Sequence, residues 1–364
     1  MRPTPRPGIL EIAPYVGGRA EVGSGRPAIK LSSNESAIGP SKEATAACNE
    51  AASALHRYPD GGSERLRAAI ARRFNLDAAR VVCGAGSDEL IALLIKAYAG
   101  PGDEVLYSRH GFLMYRLSAL AAGAHPVDAP ERDLTTDVDA LLARVTSRTK
   151  LVFVANPNNP TGSYLPAAEL ARLHAGLPAH VLLVVDAAYA EYVDVPDYSD
   201  GTDLALRHPN VVMTRTFSKL FGLAALRLGW MLGSPEVVEV INRVRSPFNV
   251  SAPAQAAGVA ALADVAHQER AKAHNDRWLP WLKGRIEGLG LTVHPSVGNF
   301  LLVAFPKDAG RDAAAASTFL EARGIIPREM GGYGLGHCLR ISVGTKEENE
   351  ALMAALEDFR AKAS

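Results

Sequence analysis

Three stretches in the middle of the chain decide its fold. Residues 150–162 read KLVFVANPNNPTG, residues 180–189 read HVLLVVDAAY, and residues 210–219 read NVVMTRTFSK. Each stretch begins with an apolar run, and polar or small residues follow that run. Continuous apolar runs of this length are typical of strands that are buried on both faces of a parallel sheet. We therefore expect three parallel strands that carry polar groups at their carboxyl ends.

The same alternation extends from residue 36 to residue 250, where apolar runs take turns with amphipathic segments. The predicted strands are Arg80–Cys83, Glu104–Ser108, Lys150–Ala155, His180–Asp186 and Asn210–Thr214. The predicted helices are Ser63–Phe74, Asp88–Tyr98, Met114–Ala122, Ala167–Ala175 and Glu236–Val244. Strands and helices in this order predict an α/β fold with a mostly parallel central sheet.

The pattern changes after Pro247. Long Ala-rich helical stretches precede two short apolar segments, Phe300–Phe305 and Cys338–Val343, with the helical segment Ala313–Arg323 between them. This mixture predicts a smaller α+β domain over residues 251–364, after a large domain over residues 36–250. Residues 1–35 are rich in Pro and Gly and too short for a domain, so we expect them to form an N-terminal arm.

Composition excludes several classes of protein. The chain has 364 residues, and 39 Lys and Arg balance 39 Asp and Glu, whereas a nucleic-acid-binding protein normally carries a clustered basic surplus. No apolar stretch approaches the roughly 20 residues that a membrane span needs, and no secretory signal is visible. The three cysteines are scattered, which disfavours a disulfide framework or a zinc site. The ten histidines show no metal-ligand spacing, so no metal is expected, and the predicted location is a reducing cytoplasm.

Ligands of parallel α/β sheets bind outside the carboxyl ends of the strands. The residues that follow the predicted strands supply a helix start with small residues, an amide, a carboxylate, a phenol, an amine and a guanidinium. They are Ser87 and Asp88, Asn159, Asp186, Tyr189, Ser218 and Lys219, and Arg227. Pyridoxal phosphate requires such a set, because an amine holds its aldehyde and a carboxylate pairs with its ring nitrogen. Its phosphate binds the N–H groups of a helix start and a nearby cation.

The chain resembles the fold-type I, class II pyridoxal-phosphate-dependent aminotransferases, and among them the histidinol-phosphate aminotransferase family. The motifs that carry the resemblance are LSSNESAIGP at 31–40, Arg57-Tyr58-Pro59, NNPTG at 158–162, Asp186-x-x-Tyr189, Ser218-Lys219 with Arg227, Gly298-Asn299-Phe300 and LRISVG at 339–344. They occur in the family's order over nearly the whole chain. Two positions depart from the family: Ser36-Ala37 stands where a proline is common, and Phe112 stands where the aromatic residue that stacks on the ring is usually tyrosine.

The resemblance implies a role for each of these residues at the cofactor. Lys219 forms the Schiff base and then moves the proton, Asp186 stabilises the protonated ring nitrogen, and Tyr189 with Asn159 hydrogen-bonds the ring oxygen. The phosphate is held by Ser87, Asp88, Ser218 and Arg227 of the same chain. Tyr58 reaches the phosphate in the neighbouring subunit, which implies a homodimer.

The resemblance also implies the substrates, which are an amino-acid phosphate and the pair 2-oxoglutarate and glutamate. Arg340 takes the carboxylate of glutamate and, helped by Arg328, the phosphate of histidinol phosphate. Tyr15 and Asn34 close over the substrate. The expected reaction converts L-histidinol phosphate and 2-oxoglutarate into imidazole acetol phosphate and L-glutamate, in histidine biosynthesis.

Two other functions stay open at this point. An aromatic-amino-acid aminotransferase shares these motifs, and an amino-acid-phosphate decarboxylase with the same cofactor shares the fold. Transamination and decarboxylation differ in which bond at Cα lies perpendicular to the cofactor ring, and sequence does not report that angle.

Overall fold

The computed structural model describes residues 3–6, 8–12, 14 and 28–362 of the chain. Its strands are β1 Ile29–Lys30, β2 Val81–Gly84, β3 Glu104–Ser108, β4 His125–Ala129, β5 Glu131–Arg132, β6 Thr135–Thr136, β7 Thr149–Ala155, β8 Leu182–Asp186, β9 Val211–Thr216, β10 Gly229–Leu232, β11 Thr292–His294, β12 Phe300–Ala304, β13 Ile325–Ile326, β14 Arg328–Glu329 and β15 Cys338–Ser342. Its α-helices are α1 Lys42–Ala52, α2 Glu64–Phe74, α3 Ser87–Tyr98, α4 Leu113–Ala122, α5 Val138–Leu142, α6 Ala167–Gly176, α7 Thr202–Arg207, α8 Pro235–Val244, α9 Ala252–Ala263, α10 Val265–Glu287, α11 Ala313–Glu321 and α12 Lys346–Lys362.

A seven-stranded sheet in the order β2-β10-β9-β8-β7-β3-β4 forms the centre of the molecule. Strands β4, β3, β7, β8 and β9 pair in parallel, and β10 pairs antiparallel with both β9 and β2. The expected α/β fold with a mostly parallel sheet is therefore confirmed. The carboxyl ends of β2, β7, β8 and β9 share one edge.

Two strands of this sheet were missing from the sequence-based expectation. Strand β4 contains Pro126 and lies at the sheet edge, where a proline is tolerated because one side of the strand needs no hydrogen-bonding partner. Strand β10 is only four residues long, and just a 3₁₀ turn at Ala224–Leu226 separates it from β9. The expectation that a helix separates consecutive strands was wrong at this place.

Helices cover both faces of the central sheet. On one face, Leu94 of α3 and Ile241 of α8 pack in an apolar cluster that includes Val184 of β8. On the other face, Ile70 of α2 and Leu173 of α6 pack in a second cluster with further strand residues. Burial on both faces explains why the central strands are apolar throughout.

A second sheet, in the order β11-β12-β15-β14, is antiparallel and packs against α10, α11 and α12. Leu31 lies in this second core, and β1 pairs in parallel with β13, while the buried face of α9 belongs to the core of the central sheet. Packing therefore continues across residues 35 and 250, and the division into arm, large domain and small domain stays a prediction. None of the helices in the described ranges is long and apolar enough to cross a membrane.

Candidate active site

A cavity of about 380 Å³ opens at the carboxyl edge of the central sheet, where β14 and β15 of the second sheet approach it. Twelve of the fourteen side chains that the sequence singled out line this cavity. They are Asn34, Ser87, Asp88, Phe112, Asn159, Asp186, Tyr189, Ser218, Lys219, Arg227, Arg328 and Arg340. The fold therefore brings residues from both ends of the chain to one place.

Lys219 follows β9 and places its amine in the cavity. Its Nζ donates a hydrogen bond to the carbonyl oxygen of Ser33 at 3.1 Å and lies 5.5 Å from the centre of the Tyr189 ring. Burial lowers the pKa of Lys219 to about 8, and the positive charge of Arg340 adds to that effect. A lysine with such a pKa is partly neutral near physiological pH, so it can act as a nucleophile or a base.

Asp186 is the last residue of β8 and is only 5% exposed. The hydroxyl of Tyr115 donates to its Oδ2 at 2.8 Å, and that of Thr214 donates to its Oδ1 at 3.2 Å. Burial raises the pKa of Asp186 to about 6, although both hydrogen bonds act in the opposite direction. A cationic ring nitrogen beside this carboxylate would favour its ionised form.

Sequence reasoning missed Tyr115 and Thr214. Tyr115 lies on α4, three residues after Phe112, and no motif marks it. Thr214 stands beside Asp186 because β8 and β9 pair in that register. Only the register of two parallel strands reveals this contact, so a chain without an assigned register offers no signal for it.

Tyr189, Asn34, Asn159 and Arg340 form a polar wall beside Lys219. The amide of Asn34 donates to the hydroxyl of Tyr189 at 2.9 Å. The guanidinium of Arg340 donates to Oδ1 of Asn159 and, at 2.7 Å, to the carbonyl oxygen of Ser32. The wall thus combines side chains from four segments. Asn159 lies in the loop after β7, Tyr189 in the loop after β8, Asn34 in the N-terminal segment and Arg340 in β15.

The opposite end of the cavity is built for an anion. Helix α3 begins at Ser87, directly after Gly86, and the first-turn N–H groups of a helix lack intrahelical partners. Arg227 lies alongside and donates to Oδ2 of Asp88 at 2.9 Å and to Oγ of Ser218 at 3.4 Å. A Cβ atom on Gly86 would stand 2.4 Å from the guanidinium of Arg227, so glycine lets the cation reach the helix start.

Aromatic and charged side chains complete the cavity. Phe112 precedes α4 and meets Tyr115 edge-on, with ring centres 6.0 Å apart. Arg328 enters from β14. Lining residues that the sequence reasoning did not single out include Lys30, Ser32, Ser33, Glu35, Thr216 and Tyr333.

The two remaining predicted residues lie elsewhere. Tyr58 is 83% exposed and stacks on Phe248, with ring centres 4.6 Å apart, and it does not line the cavity of its own chain. Its role toward a neighbouring subunit stays a prediction. Tyr15 lies outside the described residues.

The residues of the cavity fit pyridoxal phosphate. A buried carboxylate with two hydroxyl donors suits the ring nitrogen, Lys219 suits the aldehyde, and the helix start with Arg227 suits the phosphate. Gly229 of β10 supports this fit, because a Cβ atom there would meet the backbone nitrogen of Ser87 at 2.4 Å.

Comparison with known proteins agrees with this geometry. Residues 26–356 match the model of the family described as aminotransferase class I and II. The chain belongs to that family. Histidinol-phosphate aminotransferases from Paramagnetospirillum magneticum and Rhodospirillum centenum are each 62% identical to this aminotransferase over 98% of both chains.

A solved structure resembles this aminotransferase closely. It is the histidinol-phosphate aminotransferase from Sinorhizobium meliloti in complex with pyridoxal 5'-phosphate, which has a TM-score of 0.89 and 30% sequence identity. The match covers 98% of this chain and 97% of the other. The full-length similarity to these relatives places the chain among the histidinol-phosphate aminotransferases.

Proposed function

We propose that this aminotransferase converts L-histidinol phosphate and 2-oxoglutarate into imidazole acetol phosphate and L-glutamate, with pyridoxal 5'-phosphate as its cofactor. The observation that carries the proposal is the single cavity that unites Lys219, Asp186, the start of α3 and Arg340. The 62% identity to histidinol-phosphate aminotransferases over nearly the full chain supports the choice of substrates.

The cofactor would lie with its phosphate at Ser87, Ser218 and Arg227 and its ring nitrogen at Asp186. Asp88 would act there mainly by its place at the helix start and by fixing Arg227, since its own carboxylate already pairs with that guanidinium. Phe112 would stack on the cofactor ring, and Tyr189 and Asn159 would form hydrogen bonds with the oxygen on that ring. When bound, pyridoxal phosphate supplies an electron sink for the bond broken at the substrate Cα.

Lys219 would carry the proton transfer at the substrate Cα. Its amine would be able to take and return this proton when it is not holding the cofactor. Because burial lowers the pKa of Lys219 to about 8, the neutral amine is available at physiological pH, as a general base requires.

Arg340 and Arg328 would bind the anionic ends of the two substrates. A guanidinium binds a planar carboxylate or a phosphate oxygen pair through two parallel hydrogen bonds, so one arginine can serve both glutamate and histidinol phosphate. Arg340 is 6% exposed and reaches the cavity between Asn159 and Ser32. Asn34, and Tyr15 from the arm, would close over the substrate.

The working form would be a homodimer in the cytoplasm. Tyr58 supports the dimer, because an 83% exposed tyrosine that stacks on the half-exposed Phe248 offers its hydroxyl to another chain and not to its own cavity. Each site would then contain a tyrosine from the partner.

A panel of amino donors tests the proposed substrate. Purified holoenzyme is mixed in single turnovers with histidinol phosphate, phenylalanine, tyrosine or threonine phosphate, and the cofactor absorbance is followed, with Lys219→Ala as the blank. Histidinol phosphate should convert the cofactor fastest. Faster conversion by phenylalanine or tyrosine would favour an aromatic aminotransferase, and release of carbon dioxide from threonine phosphate would favour a decarboxylase.

A further inference from the structure

A buried ionic cluster lies behind the cavity wall. Its members are Arg215 of β9, Glu191 and Asp200, and their side chains are 11%, 8% and 18% exposed. The guanidinium of Arg215 donates to Oε1 of Glu191 at 3.1 Å and to Oδ2 of Asp200. It also lies 4.7 Å from the centre of the Phe74 ring. None of these three charged residues lines the cavity.

Each member of the cluster is tied to a different catalytic segment. Arg215 precedes Lys219 by four residues on the same segment, and Glu191 follows Tyr189 by two. Asp200 follows Ser199, whose carbonyl oxygen accepts a hydrogen bond from the amide of Asn156 at 2.9 Å. Asn156 begins the loop that carries Asn159.

Stability alone is a weak reason for such a cluster. Burial of ionised groups is costly, and apolar residues of similar volume often stabilise a core equally well. Burial raises the pKa of Glu191. Burial is also the largest single effect on Asp200, but the charge of Arg215 and the hydrogen bonds from Arg215 and Thr202 together outweigh it, so the pKa of Asp200 lies below its usual value. The hydrogen bonds of the cluster therefore serve mainly to fix the relative positions of three segments at the carboxyl edge of the central sheet.

We propose that Arg215 is a positioning residue for the transamination centre, because its guanidinium joins the segments that carry Lys219, Tyr189 and Asn159. Reaction rates depend steeply on such placement, since a displacement of about 1 Å can cost about 100-fold in rate. The inference rests on the proposed aminotransferase function.

Two variants and one matched control test the proposal. Arg215→Lys keeps the charge but loses the forked geometry, and Asp200→Asn removes one charged partner while keeping an acceptor oxygen. The control is Glu104→Gln, which also removes a buried carboxylate, one that is hydrogen-bonded to Thr146 and Arg148. Glu104 is the first residue of β3, so it lies at the amino ends of the parallel strands, away from the cavity.

All three substitutions should lower Tm, whereas only the first two should slow the reaction. At a temperature where every variant is folded, kcat should fall by about tenfold to 100-fold in Arg215→Lys, with KM changed less than about threefold. Asp200→Asn should show a smaller loss of kcat, also with little change in KM. This variant tests the proposal if Arg215→Lys does not fold. Unchanged kcat in the folded variants, or an equal loss in Glu104→Gln, would overturn the proposal.

A second readout needs no substrate. Competitive acetylation of the full chain freed of cofactor, read by peptide mass spectrometry, gives the pH at which the Lys219 amine titrates. Arg340, Asp88, Glu35 and Arg227 are the charged groups that act on this amine, and burial is the largest cause of its lowered pKa. Looser packing of the Tyr189 segment should admit water and raise the midpoint in Arg215→Lys above that of the wild type and of Glu104→Gln.

The two readouts separate the two proposals. If another amino donor reacts and histidinol phosphate does not, but the Lys219 midpoint shifts as expected, the proposed substrate is wrong and the positioning role stands. If histidinol phosphate reacts normally in Arg215→Lys and the midpoint does not move, the positioning role is wrong and the function stands.

Discussion

At the scale of single residues, burial acts on the two central titratable groups in opposite directions. It raises the pKa of Asp186 to about 6 and lowers that of Lys219 to about 8. In both cases burial favours the neutral form of the side chain. The charged forms of Asp186 and Lys219 are therefore destabilised in the cofactor-free protein, and a bound ligand of opposite charge would stabilise them.

Replacing Asp186 by Asn should stabilise the cofactor-free protein at pH 8 while removing most activity. The folded-state pKa of about 6 exceeds the ordinary value of 3.8, so folding is penalised once pH rises through that window. The penalty is complete above pH 6 and corresponds to about 3 kcal/mol at most. Tm of both proteins at pH 4.5 and pH 8 measures it. A gain in Tm that is the same at the two pH values would contradict this explanation.

The covalent capture of pyridoxal phosphate by the cofactor-free protein should accelerate as pH rises through 8. Only the neutral amine of Lys219 attacks the aldehyde, and with a pKa of about 8 its fraction grows about tenfold between pH 7 and pH 9. Stopped-flow absorbance gives the rate, and Lys219→Ala should show no capture. A rate that still rises by about sevenfold to eightfold between pH 9 and pH 10 would indicate an ordinary lysine.

At the scale of elements, the strands that the sequence predicted are those buried on both faces. Their apolar runs follow directly from that environment, as in Lys150–Ala155 and His180–Asp186. The sequence did not predict β4, because an edge strand tolerates proline and polar residues and so lacks a continuous apolar run. It did not predict β10, because a four-residue strand that begins with glycine is too short to show a periodic pattern.

The same distinction holds for the site. Asp186 ends an apolar run, and Lys219 lies three residues after the end of β9, so the local sequence indicates both residues. Tyr115 and Thr214 touch Asp186 only through helix packing and strand register, and Ser33 meets Lys219 from a segment 186 positions away. Such contacts depend on tertiary structure, which a single sequence does not display.

A methyl group at Gly229, where β10 packs against the start of α3, should destabilise the fold and the phosphate end of the cavity. In Gly229→Ala the new Cβ would meet backbone atoms of Ser87 and Gly86 at 2.4 Å and 2.6 Å, so the helix start must move. We expect weaker cofactor retention and a loss of about 1–3 kcal/mol in the free energy of unfolding. Equilibrium dialysis and denaturant titration measure the two effects. Gly100→Ala is the matched control, since nothing lies within 4 Å of its Cβ position, and equal effects in both variants would refute the argument.

At the scale of the whole molecule, the proposed homodimer would contain shared sites, each with a Tyr58 from the partner chain. Tyr58→Phe should weaken cofactor retention by about threefold to tenfold, the loss expected for one hydrogen bond. Mixed dimers of Tyr58→Phe and Lys219→Ala chains decide which subunit the hydroxyl serves. The site with the intact Lys219 should receive its Tyr58 from the partner and retain cofactor like the wild type. If it shows the Tyr58→Phe defect, the shared-site arrangement is wrong.

We propose that the cavity around Lys219 is a pyridoxal-phosphate aminotransferase centre. Borohydride reduction of the holoenzyme, followed by peptide mass spectrometry, tests it most directly, because reduction makes the link between cofactor and lysine permanent. We predict a single adduct on Lys219 that is absent when excess histidinol phosphate is added before reduction. An adduct on another lysine, or one that histidinol phosphate does not displace, would show that this assignment of the cavity is wrong.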